Sequence, residues 1–490
     1  MNRIFLTFAM LVAFSTAGLA RGPAIKRLDG STITPAEIGQ TVLRLMSAAE
    51  VTGVGIAIFN NGEIVYEKGY GFRDKEHNLP LTPDSVMSAA SFSKVAFAYM
   101  VMQLVDEGVL DLDKPVYQYL PRPLPEYSNY ADLANDARYK QITARMLLSH
   151  TAGFANYRAF EDDRKLKIHF TPGSRFAYSG EGILLLQFVV ETVTKEPLEE
   201  LMQQHVFRPL GMGRSSMVWQ PQFESDYANG YDEYGRSLGP QRRTHADAAG
   251  SMQTTVSDFA RFMQAVMEGK QLKAKTRRMM LSPQIAINTK YEFPSLNDET
   301  TDEYKSIRLS YGLGWGLFWT AYGEAFFKEG HDVGWRNYTV CFDGPKTGIV
   351  IMTNSANGEG IFVPMLETLL QDTYTPEWEG YTPYNKLPPR PPLKRHKQVA
   401  VDSAILRRYV GRYLVSPVLA PNIIWTVRWE GDHLTVQEND EPKQDLLPES
   451  ATQFYTIADD VYTFETDAPG RVTRMVLHAD GKDIPAQPIE

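Results

Sequence analysis

The sequence is nearly free of cysteine, because Cys341 is the single one among 490 residues. One cysteine cannot close an internal disulfide or supply the thiolates of a structural zinc site or an iron–sulfur cluster. The chain also lacks an excess of positive charge: 50 Lys and Arg stand against 59 Asp and Glu, and the net charge is -9. We therefore expect no nucleic-acid partner. With 43% hydrophobic and 22% charged residues, the composition is that of a folded globular protein.

Hydrophobic runs of membrane-spanning length are missing after the first twenty residues, so we expect no stable membrane insertion of the mature chain. Residues 1–20 combine Arg3, an apolar run over residues 4–14 and small residues before Arg21. This pattern predicts a cleaved secretory signal peptide and a periplasmic or secreted protein. An uncleaved membrane anchor is the alternative, but the run is shorter than the roughly 20 apolar residues that a span needs.

Two domains and a linker are predicted for the remainder of the chain. Residues 30–385 alternate helical patterns with strands, which predicts an α+β domain with helices flanking an antiparallel sheet. Residues 386–400 are rich in proline and basic side chains and favour an extended linker. Residues 401–490 form short strand patterns separated by turns, at 409–415, 424–429, 433–437, 453–457, 461–465 and 472–477, which predicts a small all-β barrel. In the first domain, a helix is expected at 35–50, with Thr34 and Glu37 as its capping box, and further helices at 94–107, 181–194 and 256–267. Strands are expected at 54–59 and 64–70, as a hairpin, and at 313–319, 335–342 and 349–352.

Several catalytic motifs are absent: H-E-x-x-H, a Walker loop, a Rossmann glycine fingerprint and the G-x-S-x-G elbow. We therefore expect neither a metal nor an organic cofactor. The sequence instead has Ser91-Phe92-Ser93-Lys94 at the start of an apolar helix. Ser91 and Lys94 share one helical face, and a lysine of lowered pKa can deprotonate a serine. Taken alone, however, such a pattern is far more often a capping serine before a surface lysine.

Further motifs follow in order along the chain and support the catalytic interpretation. They are L-L-S-H-T-A-G-F at 147–154, P-G followed by F-A-Y-S-G at 172–180, R-P-L-G-M at 208–212, A-A-G-S-M at 248–252 and Y-G-L-G-W at 311–315. Together with S-F-S-K, this series resembles the class C β-lactamase-like serine hydrolases, which include penicillin-binding DD-peptidases, D-aminopeptidases and esterases. The resemblance covers about residues 35–371 and implies a β-lactamase/transpeptidase-like fold. The last hundred residues resemble the lipocalin-like barrel domain often appended to these hydrolases.

The resemblance assigns roles to individual residues. Ser91 matches the acylated nucleophile, whose N–H is one oxyanion donor, and Lys94 matches the lysine that helps to deprotonate it. Tyr178 matches the tyrosine of the family's Y-x-N motif, which passes protons between nucleophile, leaving group and water. We expect nearby cations to lower the pKa of Tyr178. Gly180 replaces the asparagine that normally contacts the acyl side chain, so we expect substrate binding around Gly180 to differ. Glu181 either points into the site or starts a helix.

The family's third motif, K-T-G or H-x-G, has two candidates. Lys346-Thr347-Gly348 matches literally, but it follows a turn and enters a strand, so we predict that it lies away from the site. His331 is the preferred candidate, although Val333 stands where the motif has glycine and the register is open by one residue.

Three further residues are tied to this choice or compete with it. With His331 in the motif, the N–H of Gly334 is expected to be the second oxyanion donor. Arg336 is then the candidate for the missing lysine cation. His150 is a second candidate base, but its S-H-T-A-G setting is typical of a loop that shapes the site from outside.

The resemblance implies a serine hydrolase that forms an acyl-enzyme on Ser91 and releases it with water. A small ester, a D-amino-acid amide or peptide, or a muropeptide is the expected substrate, ahead of β-lactams. The alternative is a weak or inactive protein that binds peptidoglycan fragments or penicillin in the same cleft. The sequence does not indicate an oligomeric state.

Overall fold

We describe a computed structural model of the chain at residues 24–372, 378–390, 396–416, 423–439, 443–479 and 482–489. The predicted signal peptide lies outside these residues, and so does part of the predicted linker. Both, together with the predicted domain bounds, therefore stay predictions. Among the described residues, none of the helices is long and apolar enough to cross a membrane.

Several helices begin after a residue whose side chain caps the helix. The first helix starts after Thr34, whose side chain accepts from the backbone N–H of Glu37 while Glu37 caps in return, as the sequence predicts. The second helix is buried on every side over its first thirteen residues, which places it in the centre of the domain. In chain order the helices are α1 (Pro35–Ala49), α2 (Phe92–Asp106), α3 (Ala144–Leu148), α4 (Gly180–Thr194), α5 (Leu198–Met202), α6 (Val256–Glu268), α7 (Ala274–Met280), α8 (Phe362–Leu369) and α9 (Ser403–Leu406).

The strands form one large sheet, one barrel and three short pairs. In chain order they are β1 (Ile25–Lys26), β2 (Thr32–Ile33), β3 (Gly53–Asn60), β4 (Glu63–Asp74), β5 (Leu79–Pro80), β6 (Met87–Ser88), β7 (Gly230–Tyr231), β8 (Ser237–Gly239), β9 (Gln253–Thr254), β10 (Ile285–Ala286), β11 (Ser310–Tyr311), β12 (Gly316–Thr320), β13 (Gly323–Asp332), β14 (Trp335–Phe342), β15 (Thr347–Thr353), β16 (Gly411–Val415), β17 (Ile424–Glu430), β18 (His433–Glu438), β19 (Gln444–Pro448), β20 (Gln453–Tyr455), β21 (Val461–Thr466), β22 (Val472–Ala479) and β23 (Lys482–Ile489).

The large sheet is antiparallel and has the order β10-β11-β12-β13-β14-β15-β3-β4-β5. One core lies between this sheet and a helical region that includes α2, α4 and α6. A second core lies on the side of the sheet that packs against α1 and α8. Because α2 contacts β13 directly, the start of α2 and the middle of the sheet meet at one place.

The last eight strands, β16 to β23, close into a barrel with a core of its own. An α+β domain with a β-lactamase-like arrangement, followed by an all-β barrel, is the fold class that the sequence predicts, and the structure confirms it. The barrel touches the first domain through an ion pair of 3.4 Å between Arg236 and Asp459. The fold thus brings barrel residues near the β7–β8 pair.

Candidate active site

Ser91 lies immediately before the first residue of α2, at the edge of a cavity of about 480 Å³. The preceding Ala90 has φ +48°, a left-handed conformation that a non-glycine residue adopts at a cost in backbone strain. The helix N-terminus favours negative charge next to Ser91. Ser93 is buried, donates to the Ala90 carbonyl at 2.6 Å and accepts from Met252 N–H at 2.9 Å. Ser93 therefore supports the turn, and Ser91 is the serine that faces the cavity.

Lys94 is buried next to Ser91, as the sequence predicts. Its Nζ lies 3.0 Å from Ser91 Oγ and 2.5 Å from the Ala249 carbonyl oxygen. Burial and then the positive charge of Lys328 lower the pKa of Lys94 to about 7. A lysine with this pKa is partly neutral at neutral pH and can accept the Ser91 proton.

Tyr178 closes the other side of the nucleophile. The Ser91 side chain interacts with the Tyr178 hydroxyl, and Lys94 Nζ lies 5.1 Å from the centre of the Tyr178 ring. The expected lowering of the Tyr178 pKa is wrong: burial, followed by the negative charge of Glu329, raises it well above the ordinary value. Desolvation of the phenol is the largest cause of this rise. Tyr178 is therefore a neutral phenol that can donate and relay a proton.

Lys328 on β13 is a functional residue that the sequence analysis missed. Its Nζ lies 3.0 Å from the Tyr178 hydroxyl oxygen and 4.7 Å from the centre of that ring, and the side chain is fully buried. Gly330, two residues further, lets β13 pass close to the nucleophile, since a Cβ there would lie 2.8 Å from the Ala89 carbonyl oxygen. Lys328-Glu329-Gly330 thus has the K-x-G pattern of the third motif. The register chosen from the sequence is wrong by three residues.

His331 lies at the end of β13 with more than half of its side chain exposed. It lines the same cavity as Ser91, but Lys328, and not His331, is the motif residue that contacts Tyr178. A contact between His331 and substrate stays a prediction.

Gly334 and Arg336 lie away from the nucleophile, which contradicts the roles expected for them. Gly334 forms the β13–β14 turn with φ +79° and packs against Gly230 and Tyr231, where a Cβ would be within 3.1 Å of their backbone. Arg336 donates to Glu359 at 2.9 Å and to the Asp332 carbonyl at 2.6 Å. Gly334 is therefore part of the turn, and the guanidinium of Arg336 is bound to Glu359 and Asp332 instead of facing Ser91.

Lys346 and His150 lie where the sequence predicts. Lys346 is in the turn before β15 and its Nζ donates to the Met267 carbonyl at 2.6 Å, at the far end of the β14–β15 hairpin. His150 is buried, and its Nδ1 accepts from the Ser179 N–H at 3.2 Å. Burial lowers the pKa of His150 well below its ordinary value. The neutral His150 ring packs against Tyr178 in a tilted arrangement, with the two ring centres 4.5 Å apart.

Gly180 is buried at the first position of α4 and does not line the described cavity, contrary to the substrate contact expected there. Tyr157 lies against it and lines the cavity instead. Glu181 starts the helix and pairs with Arg158 at 2.7 Å, so the alternative in which Glu181 points into the site is wrong.

A buried group of carboxylates surrounds Lys328. Oxygen atoms of Glu292, Glu329 and Glu379 lie within 4.8 Å of one another, and each residue is at most 7% exposed. Lys328 contacts Glu329 directly. Burial and then the charge of Glu329 raise the pKa of Glu292 and of Glu379 well above their ordinary values. Protonation of Glu292 and Glu379 leaves one ammonium paired with one carboxylate. The sequence offers no periodic signal for this group, since its members come from distant segments.

Comparison with known proteins agrees with this geometry. The model of the family described as Beta-lactamase matches residues 38–371, and that of a Domain of unknown function (DUF3471) matches residues 395–488. Penicillin-binding protein 4* of Bacillus subtilis (strain 168) is 24% identical over 460 residues, 86% of this chain and 92% of that protein. Esterase EstB of Burkholderia gladioli is 27% identical over 216 residues, 39% of this chain and 53% of that protein. The octameric penicillin-binding protein homologue from Pyrococcus abyssi has a similar structure, with TM-score 0.57 and 22% identity over 92% of this chain and 99% of that chain.

Proposed function

This chain belongs to the Beta-lactamase family of serine hydrolases, and we propose that it hydrolyses small esters or amides through an acyl-enzyme on Ser91. The observation that carries the proposal is the contact of 3.0 Å between Lys94 Nζ and Ser91 Oγ, made by a lysine whose pKa is lowered to about 7. An activated nucleophile of this kind is what covalent catalysis by serine requires.

The reaction follows from the contacts around Ser91. The Ser91 oxygen bonds to the acyl carbon while its proton passes to Lys94 Nζ. The bond between the acyl carbon and the leaving oxygen or nitrogen then breaks, and the leaving group takes a proton from the neutral Tyr178, which Lys94 replenishes. Water repeats the attack on the acyl-enzyme and frees Ser91. The Ser91 N–H and the β13 backbone after Gly330 are the proposed oxyanion donors, because β13 approaches the segment before Ser91 closely.

Esters and amides rank ahead of β-lactams in this proposal. A penicillin carries a carboxylate, which needs a cation in the site. Lys328 is fully buried, binds Tyr178 and Glu329, and does not line the cavity. Arg243 does line the cavity, but it pairs with Asp332 at 3.6 Å. Neither cation is free for a substrate carboxylate.

Mass spectrometry of the intact protein tests this proposal directly. The protein is incubated separately with an activated p-nitrophenyl ester, a fluorophosphonate and a penicillin. We expect the ester to be turned over and the fluorophosphonate to label Ser91. Ser91→Ala should abolish both, whereas the matched control Ser93→Ala should remain labelled although it loses two hydrogen bonds. Labelling that persists in Ser91→Ala would refute the proposal, and acylation without turnover would favour the binding alternative.

We also propose that the protein acts in the periplasm or outside the cell. The basic, apolar and small-residue segments of residues 1–20 support this. Edman sequencing of the protein from each cell fraction should find a chain beginning near Arg21 outside the cytoplasm. A full-length chain confined to the cytoplasm would refute this localisation.

A further inference from the structure

The first residue of α4 has no space for a side chain. A Cβ atom at Gly180 would lie 2.6 Å from Cε1 and Cζ of Tyr157 and 2.9 Å from its hydroxyl oxygen. Gly180 does not have a positive φ, so the backbone conformation by itself does not demand glycine. A side chain at position 180 and the phenol of Tyr157 therefore exclude each other.

The loop that carries Tyr157 is fastened to the start of α4. The Gly180 N–H donates to Asn156 Oδ1 at 3.0 Å, and the Glu181 N–H donates to the Asn156 carbonyl at 2.9 Å. On the other side of Tyr157, the backbone N–H and Nε of Arg158 both donate to Glu181 Oε1 at 2.9 Å. With both neighbours held by side-chain and backbone bonds, the position of the Tyr157 ring is well defined.

The hydroxyl of Tyr157 is available to a ligand. Tyr157 lines the cavity that contains Ser91, and its hydroxyl makes none of the hydrogen bonds found among the described residues. Burial, followed by the nearby carboxylates of Asp247 and Asp332, raises the pKa of Tyr157 above its ordinary value. The group is thus a neutral phenol with one proton to donate.

We propose that Tyr157 is the residue that binds the acyl group of the substrate, donating from its hydroxyl to an oxygen acceptor on the acyl chain. The inference rests on the proposed function and adds its acyl specificity. An asparagine at position 180 would offer two N–H donors and a carbonyl acceptor, whereas a phenol offers one O–H donor and one oxygen acceptor beside an aromatic face. The preferred acyl chain therefore carries an ether or carbonyl oxygen that accepts from this single donor.

Two esters of equal chain length test the donor. The acyl chains of p-nitrophenyl methoxyacetate and p-nitrophenyl butyrate differ by one oxygen in place of one methylene. In the full-length protein, Tyr157→Phe should lower the ratio of the two kcat/KM values, methoxyacetate over butyrate, by about tenfold. The value for butyrate should fall less than the value for methoxyacetate, because the aromatic ring that contacts the acyl chain is retained. Each ester is compared with itself in two proteins, so its intrinsic reactivity cancels from the result.

A second pair of variants tests the shared space. Gly180→Asn should lower kcat/KM for both esters at least tenfold, because the new side chain collides with Tyr157. Tyr157→Ala combined with Gly180→Asn should recover activity and prefer the p-nitrophenyl ester of N-acetylglycine, whose amide an asparagine can pair. Full activity of Gly180→Asn alone would overturn the proposal.

The outcomes separate this inference from the proposed function. If Ser91→Ala hydrolyses p-nitrophenyl butyrate as fast as the unchanged protein, the proposed function and the inference both fail. If hydrolysis depends on Ser91 but Tyr157→Phe leaves the ratio of the two esters unchanged, only the inference fails.

Discussion

The protonation state of Lys94 makes the activity depend on pH. Lys94 must be neutral to accept the Ser91 proton, and its pKa is lowered to about 7. We therefore expect kcat/KM to rise with pH through about 7 and then level off. Lys328→Met removes a positive charge that lowers this pKa, so the rising limb should move to higher pH by on the order of one unit. A pH profile of ester hydrolysis in the two proteins measures the shift.

Lys346→Met is the matched control for this experiment. Lys346 is bound to the Met267 carbonyl at the far end of the hairpin, so its loss should leave the limb where it is. The position of the limb, unlike the maximal rate, reports the Lys94 charge and not a general loss of structure. The role given to Lys328 would be contradicted if the pH at which kcat/KM rises stayed unchanged in Lys328→Met. A shift of that pH in Lys346→Met would also contradict it.

At the scale of elements, β13 explains what the sequence could and could not predict. The α1 cap, the β3–β4 hairpin and helices α2, α4 and α6 follow from apolar periodicity and cap residues, and the structure confirms them. The segment of β13 was not predicted as a strand, because Glu324, Lys328, Glu329 and Gly330 interrupt its apolar pattern. Buried charges that pair with distant residues look like a loop in a single sequence. Because the sequence does not predict this strand, the third motif is assigned to His331 instead of Lys328.

The Tyr157 contact was unpredictable for a similar reason. The absence of an asparagine at Gly180 is visible in the sequence, but the residue that fills the space comes from a loop more than twenty positions earlier. Likewise, β19 and β23 escaped prediction because their polar residues leave little apolar alternation. Local patterns therefore predict the scaffold, whereas contacts between distant segments decide the site.

The buried carboxylates around β13 predict how stability changes with pH. The pKa of Glu292 is raised in the folded protein above its value of roughly 4.3 in an unfolded chain. As pH rises above 4.3, the unfolded chain releases this proton while the folded protein keeps it, so the unfolding free energy falls. Glu292→Gln removes this titration, and the midpoint of thermal unfolding should decrease less between pH 5 and about 8.

The exposed Glu367 on α8 offers the control. Glu367→Gln should keep the pH dependence of the unchanged protein, since that carboxylate lies in solvent. If Glu292→Gln and Glu367→Gln show the same pH dependence, Glu292 does not hold its proton in the folded state.

At the scale of the whole molecule, two domains with separate cores share one cavity wall. The barrel core contains buried residues from Leu406 onwards and none from the large sheet. Nevertheless Asn439, next to the end of β18, lines the cavity that holds Ser91. Barrel residues such as Val436 also face Leu238 and Val333 across a second cavity of about 490 Å³. The barrel thus contributes to the shape of the site but none of the groups that act on Ser91.

This division predicts the effect of removing the barrel. A chain that ends after Arg390 keeps Ser91, Lys94, Tyr178 and Lys328 with both of their cores, so it should fold and be labelled by a fluorophosphonate. Because the lost wall lines the cavity but contributes none of the groups that act on Ser91, KM for a small ester should rise several-fold while kcat stays within about twofold. The matched variant is Asn439→Ala in the full-length protein. It should also raise KM, but by a smaller factor than the truncation. Steady-state kinetics of both proteins checks this, and an insoluble truncated chain or a collapse of kcat would show that the barrel belongs to the folding unit of the catalytic domain.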